Sequence, residues 1–424
     1  METLQLGSTG PNVMLLQSTL KKIGFFTSEI DGKFGPLTQT AVINFQKNNF
    51  LETDGIVGIN TWNALRPYIF GYEFYKVQSE DTIYSIANKF NTSVNAILTA
   101  NPNINTSNLL IGATIIIPIN SIVPTDINYT SQILEMNIGS FKAVYPFLDI
   151  GTIGTSVLGT NLYYIKFGNG PKEVFYNAST HANEWITSPL LMKFIEILSK
   201  AYVNNSSIYG YNARELFNEV SLYIVPMVNP DGVDLVTGLF TPNTTIYQNS
   251  QKIASNFPDI PFPLGWKANI AGVDLNLQFP AGWDQAREIK FAQGFDKPAP
   301  RDYVGLAPLI ATEALALYNF TISHNFNKVL AYHTQGEVIF WQYQNYTPNE
   351  SQFIVNEFAK VSGYTPEDTP FNSSFAGYKD WFIYAYRKPG FTIEAGLGKN
   401  PLPINQFDKI FKDNLGILVL GMVI

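Results

Sequence analysis

Residues 174–185 read VFYNASTHANEW: an apolar run, then Ser179-Thr180, then His181-Ala182-Asn183-Glu184-Trp185. The run has the length and the aromatic and β-branched content of a buried strand, and Pro189 to Leu198 beyond it has the composition of a helix. The same order recurs downstream. Leu222–Val228, Val329–Tyr332 and Phe391–Ile393 read as further buried strands, and Leu306–Tyr318 as a further helix. Strands alternating with helices predict an α/β domain with a mixed central sheet flanked by helices over residues 128–424. In a strand-to-helix turn, His181 and Glu184 fall on one side of the first helical turn, with imidazole and carboxylate converging.

Such a pair suits zinc, whose catalytic sites combine three protein donors with a fourth, open position. A His-x-x-Glu alone is common, so the third donor decides. His333 ends KVLAYH and precedes Thr334-Gln335-Gly336, at a sheet edge where His181 could meet it. Its chemistry-free reading is a hydrogen-bonded core histidine. His324, within HNFNKV, has no carboxylate or strand-end context and reads as structural. A hydrolytic metal centre also needs a base to take a proton from water. Glu394 closes the apolar run of FTIEAG, where an acid without a task would be costly; its other reading is a buried ion-pair partner.

Composition removes several classes. The 424 residues contain no cysteine, which excludes disulfides, thiolate nucleophiles and Cys-type zinc sites. A net charge of -7, with no basic run longer than Lys21-Lys22, argues against a nucleic-acid partner. Hydrophobic residues at 46% and charged residues at 14% describe folded domains, and the length predicts two to three of them. The longest apolar stretch, Leu415–Ile424, is too short to span a bilayer, so no membrane partner is expected. The start, METLQLGSTG, lacks the basic and apolar regions of a signal peptide, which leaves the export route open.

Residues 1–70 carry an internal echo: Asp31-Gly32-Lys33-Phe34-Gly35-Pro36 with Thr38 and Thr40, then Asp54-Gly55-Ile56-Val57-Gly58-Ile59 with Thr61 and Trp62. Each copy reads as a turn made by Asp-Gly, a second glycine tolerant of positive φ, and a helix capped by Thr or Asn. With Val13, Leu16, Leu20 and Ile23 at helical spacing before them, a small all-α, three-helix module is expected. Residues 73–120 predict strand, helix, helix, strand, with Asp81 capping the first helix and Tyr84 and Asn101 serving the core. Residues 121–127, SIVPTDI, have the Pro and polar content of a linker.

These segments have family resemblances. LQLGSTGPNVMLLQSTL, IDGKFGPLTQTAVINFQ and TDGIVGINTWNAL resemble the peptidoglycan-binding domain of bacterial wall hydrolases. YKVQSEDTIYSIANKF and LLIGATIIIP resemble a LysM domain, which implies binding to N-acetylglucosamine-containing glycans. HANEW, VPMVNPDGVD, GVDLNLQFPAGW, AYHTQG and FTIEAG, in that order, resemble the zinc carboxypeptidases. That resemblance implies one zinc ion held by His181, Glu184 and His333, with Glu394 as catalytic base.

Departures from the pattern bear on substrate. The arginine that holds a C-terminal carboxylate in that family is replaced by Leu277 after Asn276, and Asn183 replaces the arginine of the metal motif. The oxyanion-stabilising arginine aligns with Lys267 in GWKAN, which keeps the charge without the fork. HANEW, WKAN and DLNLQFPAGW together are similar to the γ-D-glutamyl-diaminopimelate endopeptidase branch, which cuts peptidoglycan stem peptides and is associated with sporulation and wall turnover. The resemblance then implies substrate contacts from Asn276, from Lys379 to a stem-peptide carboxylate, and from Tyr378 as a mobile phenol. A wall-associated or mother-cell location in a bacterium is expected. The rival readings are a true carboxypeptidase and a non-catalytic wall- or spore-binding protein.

Overall fold

The computed structural model describes residues 1–106, 108–119 and 121–424. The expected end of the second module, at residue 120, lies outside the described residues. The chain divides into two compact units, one made of residues 1–128, 132–148 and 199–206 and the other of 129–131, 149–198 and 207–424.

The first unit opens with helices α1 (Pro11–Lys22), α2 (Pro36–Asn48) and α3 (Ile59–Phe70). Val13, Leu16, Leu20, Val42, Phe45 and Leu65 are fully buried between them. Positive φ falls on the glycine of each Asp-Gly pair, Gly32 at 68° and Gly55 at 70°, whereas the later Gly35 and Gly58 are extended N-caps with no side-chain cap. The threonines serve the preceding helix instead. Gln17, buried in α1, donates to Asp31 Oδ1 (2.8 Å) and Thr38 Oγ1 (3.1 Å) and accepts from Gly32 N–H (2.9 Å). Gln46 in α2 repeats the pattern on Asp54, Thr61 and Gly55. Each buried amide thus fills the hydrogen-bonding needs of one turn.

Strand β1 (Tyr72–Lys76), helices α4 (Ile83–Lys89) and α5 (Val94–Ala100) and strand β2 (Thr114–Pro118) follow, with β1 and β2 antiparallel. Thr82, not Asp81, caps α4, forming a reciprocal box with Ser85; Asp81 instead accepts from Tyr75 O–H and Gln78 N–H. Asn101 ties α5 to β2 through Ile116, as a core role requires, but Tyr84 lies 70% exposed and is no part of the core.

The second unit is built on an eight-stranded sheet. Its strands are β3 (Asp149–Thr155), β4 (Asn161–Phe167), β5 (Lys172–Ala178), β8 (Val220–Val225), β9 (Lys328–His333), β10 (Val338–Phe340), β11 (Thr365–Glu367) and β12 (Gly390–Glu394), while β6 (Ser207–Ile208) and β7 (Tyr211–Asn212) form a separate hairpin. The order is β11-β10-β12-β9-β5-β8-β4-β3, with the central β12, β9, β5 and β8 parallel and antiparallel pairs on both sides. Buried on both faces, the central strands read as continuous apolar runs. On β5, Phe175 packs toward Tyr378 and Phe326, while its neighbour Tyr176 points the other way and donates to Leu418 O in the helix Phe407–Val423. Two boundaries differ from expectation. β8 stops at Val225 because Pro226 cannot extend the ladder, and the helix expected from Leu306 starts only at Thr312, after a loop tied to Gln278.

Candidate active site

His333 and Glu394 end the parallel strands β9 and β12 in direct register, and His181 lies just beyond the end of the adjacent β5. All three therefore reach the carboxyl edge of the sheet, where α/β proteins bind ligands. His181 caps a single 3-10 turn, Ala182–Glu184, which brings Glu184 back beneath it. Glu184 Oε1 lies 3.0 Å from His181 Nδ1, Glu184 Oε2 lies 2.8 Å from His333 Nδ1, and the two imidazole nitrogens are 3.2 Å apart. Donors about 2.0–2.1 Å from one tetrahedral ion stand roughly 3.3 Å from each other, so this buried donor set fits zinc.

The surroundings orient the donors. His181 Nε2 meets Asp274 Oδ1 at 3.2 Å, the arrangement that fixes the tautomer of a metal-binding imidazole. Lys267 Nζ lies 3.1 Å from Glu184 Oε1. Burial alone would lower the His181 imidazole, but Glu184 and Asp274 push it up to about 9. His333 is lowered, by burial and its neighbouring cations. Glu394 lines the cleft; burial and the charge of Glu184 push its carboxyl up to about 8. Because a ligating imidazole must be neutral, metal uptake below about pH 9 displaces at least the His181 proton. Apparent zinc affinity of the metal-free protein should therefore rise about tenfold or more per pH unit between pH 6 and 8. Competition against a chromogenic chelator measures this, and a flat profile would show that His181 is already neutral.

The cleft, about 620 Å³, is also lined by Asn183, Lys267, Asn276, Arg301 and Lys379. Asn276 accepts from Tyr378 N–H through Oδ1, which leaves its amide nitrogen for a ligand. Leu277 packs with Trp283, Val304 and Ala376, so its position offers a carboxylate nothing. Lys379 is buried against Asp380 (2.6 Å) and donates to Gln342 O (2.8 Å). Tyr378 departs from expectation: it is a core side chain packed edge-on against Phe175 and Phe279 and tilted against Trp381, with its hydroxyl on Thr321, and is not placed as a mobile phenol. His324 is structural, stacked on Phe326 and 3.4 Å from Glu173. Asp274 and Arg301 are site residues that pattern reading missed. The acid of Asp274, inside the apolar VDLNL, was the available signal.

Residues 135–416 match the zinc carboxypeptidase family. The chain belongs to that family. Residues 9–65 match a peptidoglycan binding domain and residues 75–118 a LysM domain. This member of the zinc carboxypeptidases is 47% identical over 295 residues to gamma-D-glutamyl-L-diamino acid endopeptidase 1 of Lysinibacillus sphaericus, covering 70% of this chain and 72% of that one. It is 39% identical over 292 residues to an uncharacterized protein of Bacillus subtilis, covering 68% and 76%. In fold it is similar to bovine thrombin-activatable fibrinolysis inhibitor, with TM-score 0.54 and 18% identity over 70% of this chain and 96% of that one. It is a zinc metallopeptidase, and its first two segments are peptidoglycan-binding types.

Proposed function

We propose that this zinc carboxypeptidase relative is an endopeptidase that hydrolyses the γ-D-glutamyl-meso-diaminopimelate bond of peptidoglycan stem peptides. The observation that carries this reading is a complete His181-Glu184-His333 and Glu394 constellation beside a Leu277 packed into an apolar cluster. Hydrolytic parts are present while the position after Asn276, where the family holds a free C-terminus, is apolar. The name of the Lysinibacillus relative supports the same bond.

His181, Glu184 and His333 would hold one zinc ion, which supplies Lewis acidity to a carbonyl and to water. Glu394 takes a proton from the attacking water and returns it to the departing amine. The Lys267 ammonium, already 3.1 Å from a ligand carboxylate, stabilises the developing oxyanion. Asn276 offers its amide nitrogen to the substrate. Lys379, whose ammonium already meets Asp380, Gln342 O and Thr369 Oγ1, would bind a stem-peptide carboxylate only by exchanging one of these partners.

We take residues 1–70, 73–120 and 128–424 as the working modules, the first two holding N-acetylglucosamine-containing glycan and raising the local concentration of the third on the wall. The setting is wall turnover in a bacterium, including the mother-cell compartment during sporulation. Mass spectrometry of purified stem tripeptides incubated with the enzyme and zinc tests the reading. Release of L-alanyl-D-glutamate is expected; stepwise loss of single C-terminal residues would instead make the enzyme a carboxypeptidase, and an uncut peptide with zinc bound would leave a wall-binding protein.

A further inference from the structure

A γ-glutamyl amide differs from an ordinary peptide in one feature close to the reacting carbonyl. Its α-carboxylate is not part of the bond and carries a negative charge only two methylenes and the α-carbon away. An α-linked chain has a neutral main-chain amide at that place. A positioned cation in the cleft, beyond those used for chemistry, would let an enzyme read the γ linkage.

Five cationic side chains line the cleft: Lys267, Lys290, Arg301, Lys379 and Lys399. Three of the lysines have their single nitrogen on an acid. Lys267 is on Glu184 at 3.1 Å, Lys290 on Asp302 at 2.6 Å and Lys379 on Asp380 at 2.6 Å. Lys399 is an exposed lysine on a loop, a hydrated point charge with no contact that fixes it among the described residues. Arg301 differs from all four. It donates through Nε to Asp302 Oδ2, while its side chain keeps 44% of its surface exposed. That leaves the outer edge of the guanidinium, with both terminal nitrogens, free of hydrogen bonds among the described residues.

The backbone around Arg301 is pinned to the site on both sides. Pro300 O accepts from Lys267 N–H (2.7 Å) and Ala268 N–H (2.9 Å), and Tyr303 O accepts from Asp274 N–H (2.9 Å). Asp302 N–H donates to Asp274 Oδ2, whose other oxygen meets the metal-site imidazole of His181. A fork with one side anchored and the other open, on a backbone tied to the site, is suited to a planar carboxylate.

We propose that Arg301 is a specificity-determining residue that binds the free α-carboxylate of the γ-linked glutamyl residue, which replaces the carboxylate recognition absent at Leu277. This rests on the γ-glutamyl reading above. The test compares kcat/KM for L-Ala-γ-D-Glu-diaminopimelate with that for the same tripeptide bearing a glutamyl α-carboxamide. Wild type should favour the free acid by about 30-fold, chiefly through KM. Arg301→Met should cut the two peptides with equal kcat/KM, and Arg301→Lys should keep part of the preference. Lys290 still pairs with Asp302 in both variants, and one equivalent of bound zinc together with an unchanged circular-dichroism spectrum reports an intact fold. A wild type without preference, or an Arg301→Met enzyme that keeps it, overturns the proposal while leaving the γ-glutamyl reading in place. A wild type that leaves the γ bond of both peptides uncut overturns that reading, and this inference with it.

Discussion

Glu394→Gln is expected to lower kcat on a stem tripeptide by about 10³-fold or more while leaving bound zinc at one equivalent. The residue ends β12 in register with His333, so its carboxylate enters the cleft beside the donors without being one of them. In the metal-free protein burial and the nearby charge of Glu184 raise the Glu394 carboxyl to about 8, and the positive charge of a bound zinc ion would favour its ionised, proton-accepting form. Glutamine keeps the volume and the hydrogen bonding but cannot carry the proton. Metal analysis alongside steady-state kinetics separates the two roles. Loss of zinc together with activity would make Glu394 a structural support of the ligands, and a loss of less than tenfold would place the base elsewhere.

Much of this site was readable in the chain because its residues stand at strand ends. An acid closing FTIE and a histidine closing KVLAYH end buried, largely apolar strands, and an ionisable group in such a place needs a reason. What the residues alone could not supply was adjacency. β5, β9 and β12 are neighbours in space, yet His181 and His333 are 152 residues apart, and no local pattern pairs them. The ordered blocks shared with a known family supplied that link.

The failures have physical causes of the same kind. Tyr378 and Lys379 begin one helix, and consecutive helical side chains point about 100° apart, so the lysine faces the cleft while the tyrosine enters the core. Gln17 and Gln46 look like ordinary polar helix positions, and only the fold shows that each satisfies a turn contributed by a later segment. Asp274 and Arg301 escape a reading of the sequence because Asp274 acts through His181 and the Asp302 N–H, far away along the chain, and only that contact brings Arg301 to the site, which periodicity does not encode.

Glu184→Gln should separate metal binding from stability in a single substitution. Glu184 is 1% exposed and touches His181 at 3.0 Å, His333 at 2.8 Å and Lys267 at 3.1 Å. Despite burial, which would raise it, those neighbours hold its carboxyl well below the usual carboxylate range. At neutral pH the metal-free protein thus keeps a buried anion between two cations, the His181 imidazolium and the Lys267 ammonium. Glutamine retains the shape and removes the charge. Zinc affinity should fall by about 10³-fold, since a neutral amide is a poor donor for the ion. The variant should also be less stable than wild type when both are stripped by chelator, by about 3 kcal/mol, because two cations lose their buried partner. The gap should narrow as pH rises through about 9, where His181 gives up its proton and one repulsion disappears, while Lys267 remains charged. Chemical denaturation in chelator at pH 7 and above 9 reads both values. Equal stability of the stripped proteins would mean that water screens the two cations, and Glu184 would then act as a metal ligand alone.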